Sequence, residues 1–159
     1  MIYKIKYTRF KTSLCEIILA GDSKGLSNIF LKAESVKIPE EWIRDDDFFV
    51  DSVKQLKEYL SGKRTKFTIK INPQGTDFQK KVWKALEKIP YGNLCSYKDI
   101  AEAIGNPKAC RAVGMANNKN PIPLIVPCHR VIGANGKLVG FACGLDIKEK
   151  LIDIEKAVF

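Results

Sequence analysis

The run PCHRV, residues 127–131, places the chain's one histidine between a cysteine and an arginine. Cysteine attacks as its thiolate, and a free thiol is mostly protonated near neutrality, so a nucleophilic Cys128 needs a base or positive surroundings. His129 and Arg130 offer one of each. Adjacent side chains of an extended chain point to opposite sides, which favours a bridge from Cys128 to His129 through a water or a backbone bend over a direct bond. A histidine acting as base also needs an orienting acceptor. No acidic residue lies between Ala103 and Leu145, so that acceptor is expected from the last predicted helix, as Glu149, Asp153 or Glu155. A buried cysteine beside a surface histidine is the commoner fate of such a pair in isolation. The surrounding segments are what point to chemistry.

Three prolines in NKNPIPLIVP, residues 118–127, predict a rigid extended segment that delivers Cys128 to a fixed place. Upstream, Thr76 and Gln79 form a capping box ahead of Phe78, Val82, Leu86 and Ile89, a helix with one apolar face. PYGN then turns the chain. Ser96 and Asp99 form a second box that opens YKDIAEAI, Gly105 stops that helix, and Asn106-Pro107 are expected as N-cap and first residue of KACRAVGMAN. Two short helices joined by a Gly-Asn turn make a helix-turn-helix, a shape shared with any αα-hairpin. In the second, small residues (Ala109, Cys110, Ala112, Gly114, Ala116) surround Lys108 and Arg111, and a smooth basic helix can approach DNA closely. After the active-site run, VIGANGKLVGFACG reads as a hairpin or glycine-rich loop. Asp146 with Glu149 is then expected to cap a final helix whose Ile147, Leu151 and Ile154 face inward.

The first third reads as scaffold. IYKIKY, LCEIILA and LSNIFLK, the last two separated by the GDSKG turn, predict an antiparallel meander. Asp47 is expected to cap a helix bearing Phe49, Val53, Leu56 and Leu60, and KFTIKI to add a strand before Asn72-Pro73. The fold class is therefore α/β in the α+β sense, with domains at 1–72 and 73–159. At 159 residues and 45% apolar content the chain can build these cores. Its formal charge is +9, and the acid-free window holds Lys108, Arg111, Lys119, Arg130 and Lys137, an unopposed positive field of the kind that attracts phosphate backbones. Five cysteines at wide, unpatterned gaps fit neither a disulfide framework nor paired zinc ligands. MIYKIKYTRF lacks the apolar run of a signal peptide, and no stretch approaches a membrane span, so a cytoplasmic protein, or a nuclear one in a eukaryote, is expected.

The run GNPKACRAVGMANNKNPIPLIVPCHRVIG, with SYKDIA before it and CGLDIKEKL after it, closely resembles the O6-alkylguanine-DNA alkyltransferases. The resemblance is strong over about residues 73–156. Residues 1–72 resemble the family's variable N-terminal domain, commonly an RNase H-like sheet. The resemblance implies a monomer that flips O6-alkylguanine out of duplex DNA and takes the alkyl group irreversibly on its own cysteine, without metal or other cofactor. O4-alkylthymine is a further candidate substrate. Cys128 matches the acceptor, His129 the base that ionises it through a water, Glu155 the carboxylate that orients His129, and Asn120 the residue bracing the active-site turn. Tyr97 matches the tyrosine that helps rotate the nucleotide and protonates the leaving guanine. Arg111 matches the finger that fills the vacated stack, on a helix lying in the minor groove; Ser96, Lys108, Ala109, Cys110, Gly114 and Arg130 are the other expected DNA contacts. Val126, Val131 and the 138–142 loop, with Leu138, Phe141 and Ala142, resemble the guanine pocket. Phe141 stands where the family often has Tyr, Ala142 and Cys143 where it often has Ser or Gly, and Cys110 where it usually has Ala. These departures bear on substrate range, and they shift recognition of the O6 atom toward backbone donors. From the residues alone two rivals stay open: a helix-turn-helix regulator indifferent to Cys128, and a cysteine hydrolase using Cys128, His129 and Asn120.

Overall fold

A computed structural model describes residues 4–133, 136 and 141–156. The chain divides into two compact units, Met1–Gln74 and Gly75–Phe159.

In the first unit, β1 (Lys6–Lys11), β2 (Glu16–Asp22) and β3 (Gly25–Leu31) form the expected antiparallel meander, and β4 (Ile43–Arg44) adds to the free edge of β1 in parallel, giving the order β3-β2-β1-β4. Ile17, Ile18, Leu19 and Ala20 are fully buried, so the central strand β2 is covered on both faces and reads as an unbroken apolar run. The first strand starts near the end of IYKIKY, at Lys6, where its pairing with β2 begins opposite Gly21, and it runs on to Lys11.

Two other expectations for this unit are corrected. KFTIKI is not a ladder strand: it is irregular up to a single parallel bridge from Leu26 to Ile71, with Leu26 N–H on the Lys70 carbonyl (2.9 Å) and Asn72 N–H on the Leu26 carbonyl (2.8 Å). Further back, the buried Gln55 side chain takes the Thr68 N–H (2.9 Å), a role a sheet neighbour would otherwise fill. Gly25 permits the close approach. At φ +133° a Cβ there would lie 2.9 Å from the Ile71 carbonyl carbon. Asp47 does not cap the helix from outside. It opens a 3₁₀ turn, Asp47–Phe49, that leads into α1 (Val50–Leu60), and the Asp45 carboxylate accepts the Phe48 N–H at 3.2 Å.

The second unit starts with α2 (Asp77–Glu87), whose Thr76–Gln79 capping box is complete in both directions. Val82, Trp83 and Leu86 are buried, and the Trp83 indole N–H donates to the Ala116 carbonyl at 2.9 Å, tying α2 to α4 (Cys110–Asn118). The short strand β5 (Cys95–Ser96) pairs in parallel with β6 (Val131–Ile132) and leads into α3 (Tyr97–Ala103) through the Ser96–Asp99 box. Asn106 does not N-cap α4. Its N–H goes back to the Ala101 carbonyl (2.9 Å) while Gly105 N–H reaches Glu102 (3.0 Å) and Gly105 sits at φ +79°. That is a Schellman end of α3, so the residues expected to start the second helix are occupied in closing the first.

The prolines of NKNPIPLIVP do not hold it extended. Residues 121–126 are bends and turns, with Val126 N–H on the Ile122 carbonyl (3.0 Å) and Leu124 at φ +78°. In α5 (Leu145–Lys156) Asp146 lies inside the first turn rather than before it. Ile147 and Leu151 are buried as expected, Ile154 is half-buried, and Lys148, Ile152 and Glu155 complete the buried face. No helix among the described residues is long and apolar enough to cross a membrane.

Thr76→Ala removes the side-chain acceptor of the first box and is expected to lower stability by about 1 kcal/mol. Urea unfolding checks this, and an unmoved midpoint would mean the box contributes nothing.

Candidate active site

Cys128, His129 and Arg130 form a single 3₁₀ turn and are all buried. The turn replaces the extended backbone expected at the Cys-His pair, and its direction is fixed from both ends. The Cys128 N–H donates to the Val126 carbonyl (2.8 Å) and Arg130 N–H to the Pro127 carbonyl (3.0 Å). Asn120 braces the approach: its Nδ2 donates to the Val126 carbonyl (2.8 Å), and its Oδ1 accepts the Ile122 N–H (3.0 Å). Asn117, buried on α4, donates to the Cys128 carbonyl at 3.4 Å.

Glu155 is the acidic residue that reaches His129. Its Oε2 lies 2.6 Å from His129 Nε2, and both groups are buried. Arg130 donates from Nε to Oε1 (2.8 Å) and from Nη2 to Oε2 (2.9 Å), and its Nη1 donates to the Ile89 carbonyl (2.6 Å). The Gly92 N–H adds a bond to Oε1 at 3.1 Å. Arg130 was expected among DNA contacts. Instead it is buried, because a carboxylate enclosed with a neutral imidazole needs a formal counter-charge, and the fork of a guanidinium fits both oxygens.

The electrostatics divide the work. Burial pushes the Cys128 thiol up to about 12, against the lowering effect of Asn120 and Lys148, so the enclosed thiol rests protonated. Burial also lowers His129 below its ordinary 6.5, with Glu155 pulling the other way, which keeps the imidazole neutral and able to accept a proton. Tyr97 is raised, first by burial and then by Cys128, while its bond with the Asn117 side chain opposes the rise; its hydroxyl keeps its proton at neutral pH.

A family model described as 6-O-methylguanine DNA methyltransferase, DNA binding domain, matches residues 77–157, and one for the ribonuclease-like domain of the same methyltransferase matches residues 5–73. This chain belongs to the 6-O-methylguanine DNA methyltransferase family. It is 57% identical to the methylated-DNA–protein-cysteine methyltransferase of Methanosarcina mazei and 52% identical to that of Methanosarcina acetivorans, covering 94% of this chain and 96% or 97% of the relative. The crystal structure of Mycobacterium tuberculosis O6-methylguanine methyltransferase superposes with a TM-score of 0.90 at 43% identity, covering 98% of this chain and 94% of that one. A structure of the mycobacterial protein in complex with DNA matches with a TM-score of 0.89.

The other residues that the methyltransferase resemblance singles out differ in exposure. Lys108 and Arg111 are exposed at the start of α4, with Ala109 and Cys110 half-buried beside them. Gly114 faces α3 with room to spare: a Cβ there would meet the Tyr97 ring at 3.9 Å, an ordinary van der Waals contact. Ser96 is half-buried, and its hydroxyl accepts the Asp99 N–H (3.1 Å), so its first duty is capping. Val126 and Val131 are buried, Phe141 is half-buried, Ala142 is exposed, and Leu138 lies outside the described residues. Three participants escaped sequence reasoning: Asn117, Gly92 and Lys148, whose Nζ donates to the Val131 carbonyl. Lys148, Ile152 and Glu155 share one helical stripe by their spacing, which is the signal that could have placed Lys148 inside.

Arg130→Ala leaves the Glu155 charge buried without its guanidinium, and a loss of roughly 3–5 kcal/mol is expected in urea unfolding. A loss under 1 kcal/mol would mean water replaces the clamp. The lowered His129 value also sets a sign: below about pH 6.5 the unfolded chain binds the proton before the native one does, so stability falls as pH drops. Thermal unfolding between pH 7.5 and 5.5 reads this, and a melting temperature that rises on acidification would contradict the buried neutral imidazole.

Proposed function

We propose that this chain repairs DNA by moving the alkyl group of O6-alkylguanine onto Sγ of Cys128, once per molecule. The observation that carries this reading is the buried relay in which Glu155 holds His129 at 2.6 Å, one residue from Cys128. The alkyl carbon sits on O6, at the pairing and major-groove edge of a stacked guanine, so a protein on the minor-groove side reaches it only when the nucleotide is turned out of the duplex, at a cost of a few kcal/mol that protein–DNA contacts offset. Arg111 on the exposed face of α4 and Lys108 in the turn before it supply charge for that. The mycobacterial relative seen in complex with DNA supports the partner, and the minor groove suits the part of α4 where Cys110, Ala112 and Gly114 keep the surface low beside Arg111.

In the transfer, the Cys128 proton passes through a water to neutral His129, whose cationic form Glu155 stabilises. Sulfur then attacks the alkyl carbon, the S–C bond forms, and the C–O6 bond breaks. The guanine leaves with a proton from Tyr97, which is half-buried at the start of α3 and keeps its own proton until then. The thioether has no easy return. Asn120 holds the acceptor turn while Val126 and Val131 wall the pocket. The reaction needs Cys128 as a thiol, which suits a monomer working in the reducing compartment that holds the DNA.

Incubation with a duplex containing O6-methylguanine is expected to add one methyl group per molecule by intact-protein mass, with no gain in Cys128→Ser. Tight lesion binding without any mass gain would remove the repair assignment. Arg111→Ala is expected to slow repair in duplex DNA far more than attack on free O6-benzylguanine; equal losses would end the finger role. Glu155→Gln is expected to shift the pH profile of Cys128 alkylation to higher pH, and a superposable profile would take Glu155 out of the relay.

A further inference from the structure

α4 turns Val113, Ala116 and Asn117 into the core and leaves Arg111, Ala112, Met115 and Asn118 in solvent. Two of those outer side chains are long, Arg111 and Met115. They stand four residues apart, on the same side of the helix and about 6 Å from each other along its axis. A lone apolar residue in water is ordinary. Met115, however, is 63% exposed, the most of any large apolar side chain among the described residues, and its apolar surface continues sideways. With Phe78, Ala112 and Ala116 it lines a groove of about 210 Å³ between the start of α2 and α4, to which Lys119 also contributes. The exposed Asp77 of α2 does not line that groove. Lys108, Arg111 and Lys119 are exposed before and after Met115 in the chain, and no acidic residue lies between Ala103 and Leu145. An apolar strip bordered by cations is complementary to a minor groove, whose walls are deoxyribose and whose rims are phosphate.

We propose that Met115 is a second DNA-contacting side chain, its thioether lying along the deoxyribose wall of the minor groove one helical turn from Arg111. The inference rests on DNA as the partner of α4, as read above. Arg111 supplies charge, whereas Met115 supplies contact area that releases no counterion. Methionine suits the task because it is unbranched, turns about three bonds and carries a polarisable sulfur, so it can flatten into a narrow space. It is also among the apolar side chains that minor-groove proteins insert. Cys110, Ala112 and Gly114 let the helix come close, and a longer side chain projecting from that low surface then meets sugar rather than water.

Fluorescence anisotropy with a short undamaged duplex tests this. Met115→Ala is expected to weaken binding about tenfold, the loss of one apolar side chain from a contact, and by the same factor at every salt concentration. Met115→Leu is expected to restore most of the affinity. An Ala variant that binds as tightly as the wild type, a deficit that disappears as salt rises, or a wild-type chain that does not bind the duplex would each overturn the proposal. A second measurement locates the contact. The chain has two methionines, so isotopically labelled methionine methyl groups give a spectrum that the Ala variant assigns. Nuclear Overhauser contacts are expected from the Met115 methyl group to the sugar protons that line the minor groove; contacts to thymine methyl groups, which lie in the major groove, or no contact at all, would overturn it. Neither experiment involves a lesion or Cys128. A chain that takes up no methyl group leaves both outcomes untouched, and a Met115 without effect leaves the methyl-transfer test standing.

Discussion

A single buried carboxylate organises the second unit. Glu155 sits near the end of α5 and accepts from Arg130 twice, from the Gly92 N–H and from His129. An enclosed carboxylate is tolerated only when its lone pairs are filled and its charge is met, and here each partner belongs to a different segment. Gly92 fixes the turn before β5, the Arg130 fork fixes the acceptor turn, and the third arm of that fork reaches Ile89 just beyond α2. Removing any one partner loosens several elements together. The histidine therefore inherits its position from a network whose main function is to make Glu155 affordable in a dry interior.

The acceptor turn adds its own constraint from the other side. Leu124 is buried in the left-handed region, at φ +78°, a conformation that costs a non-glycine residue roughly 1–2 kcal/mol. It persists because Asn120 bonds both ahead to Val126 and to the Ile122 N–H, and because Ile122, Leu124 and Val126 are packed away from water. Asn117 then fastens the Cys128 carbonyl to α4, the helix that presents Arg111 to solvent. The same helix thus touches the Cys128 turn with its buried face and leaves Arg111 exposed to solvent.

What the sequence disclosed and what it withheld follow the range of the forces involved. Both capping boxes were legible because Thr76–Gln79 and Ser96–Asp99 satisfy each other within one turn, without help from the rest of the fold. The meander and the inward face of α5 were legible from periodicity. Asn106 misled because two local signals competed, and the Schellman end of α3 took the residue that a following N-cap would have used. The three prolines misled because proline fixes φ while leaving the chain free to bend between them, and Asn120 decided the bend. Arg130 and Lys148 misled by residue type. Long cations are ordinarily outside, but here the Glu155 carboxylate receives the Arg130 fork and the Val131 carbonyl accepts from the Lys148 ammonium.

The resting site looks opposed to its chemistry, since a thiol raised by burial is a poor nucleophile. The opposition locates the work that the buried pair has to do. Enclosure holds Cys128 as a thiol and the imidazole of the next residue as a neutral base, and the Glu155 carboxylate 2.6 Å from that ring stabilises the cation formed when it takes a proton. On the proposed reading, ionisation of Cys128 is therefore a step driven by the His129–Glu155 pair rather than a property of the resting thiol.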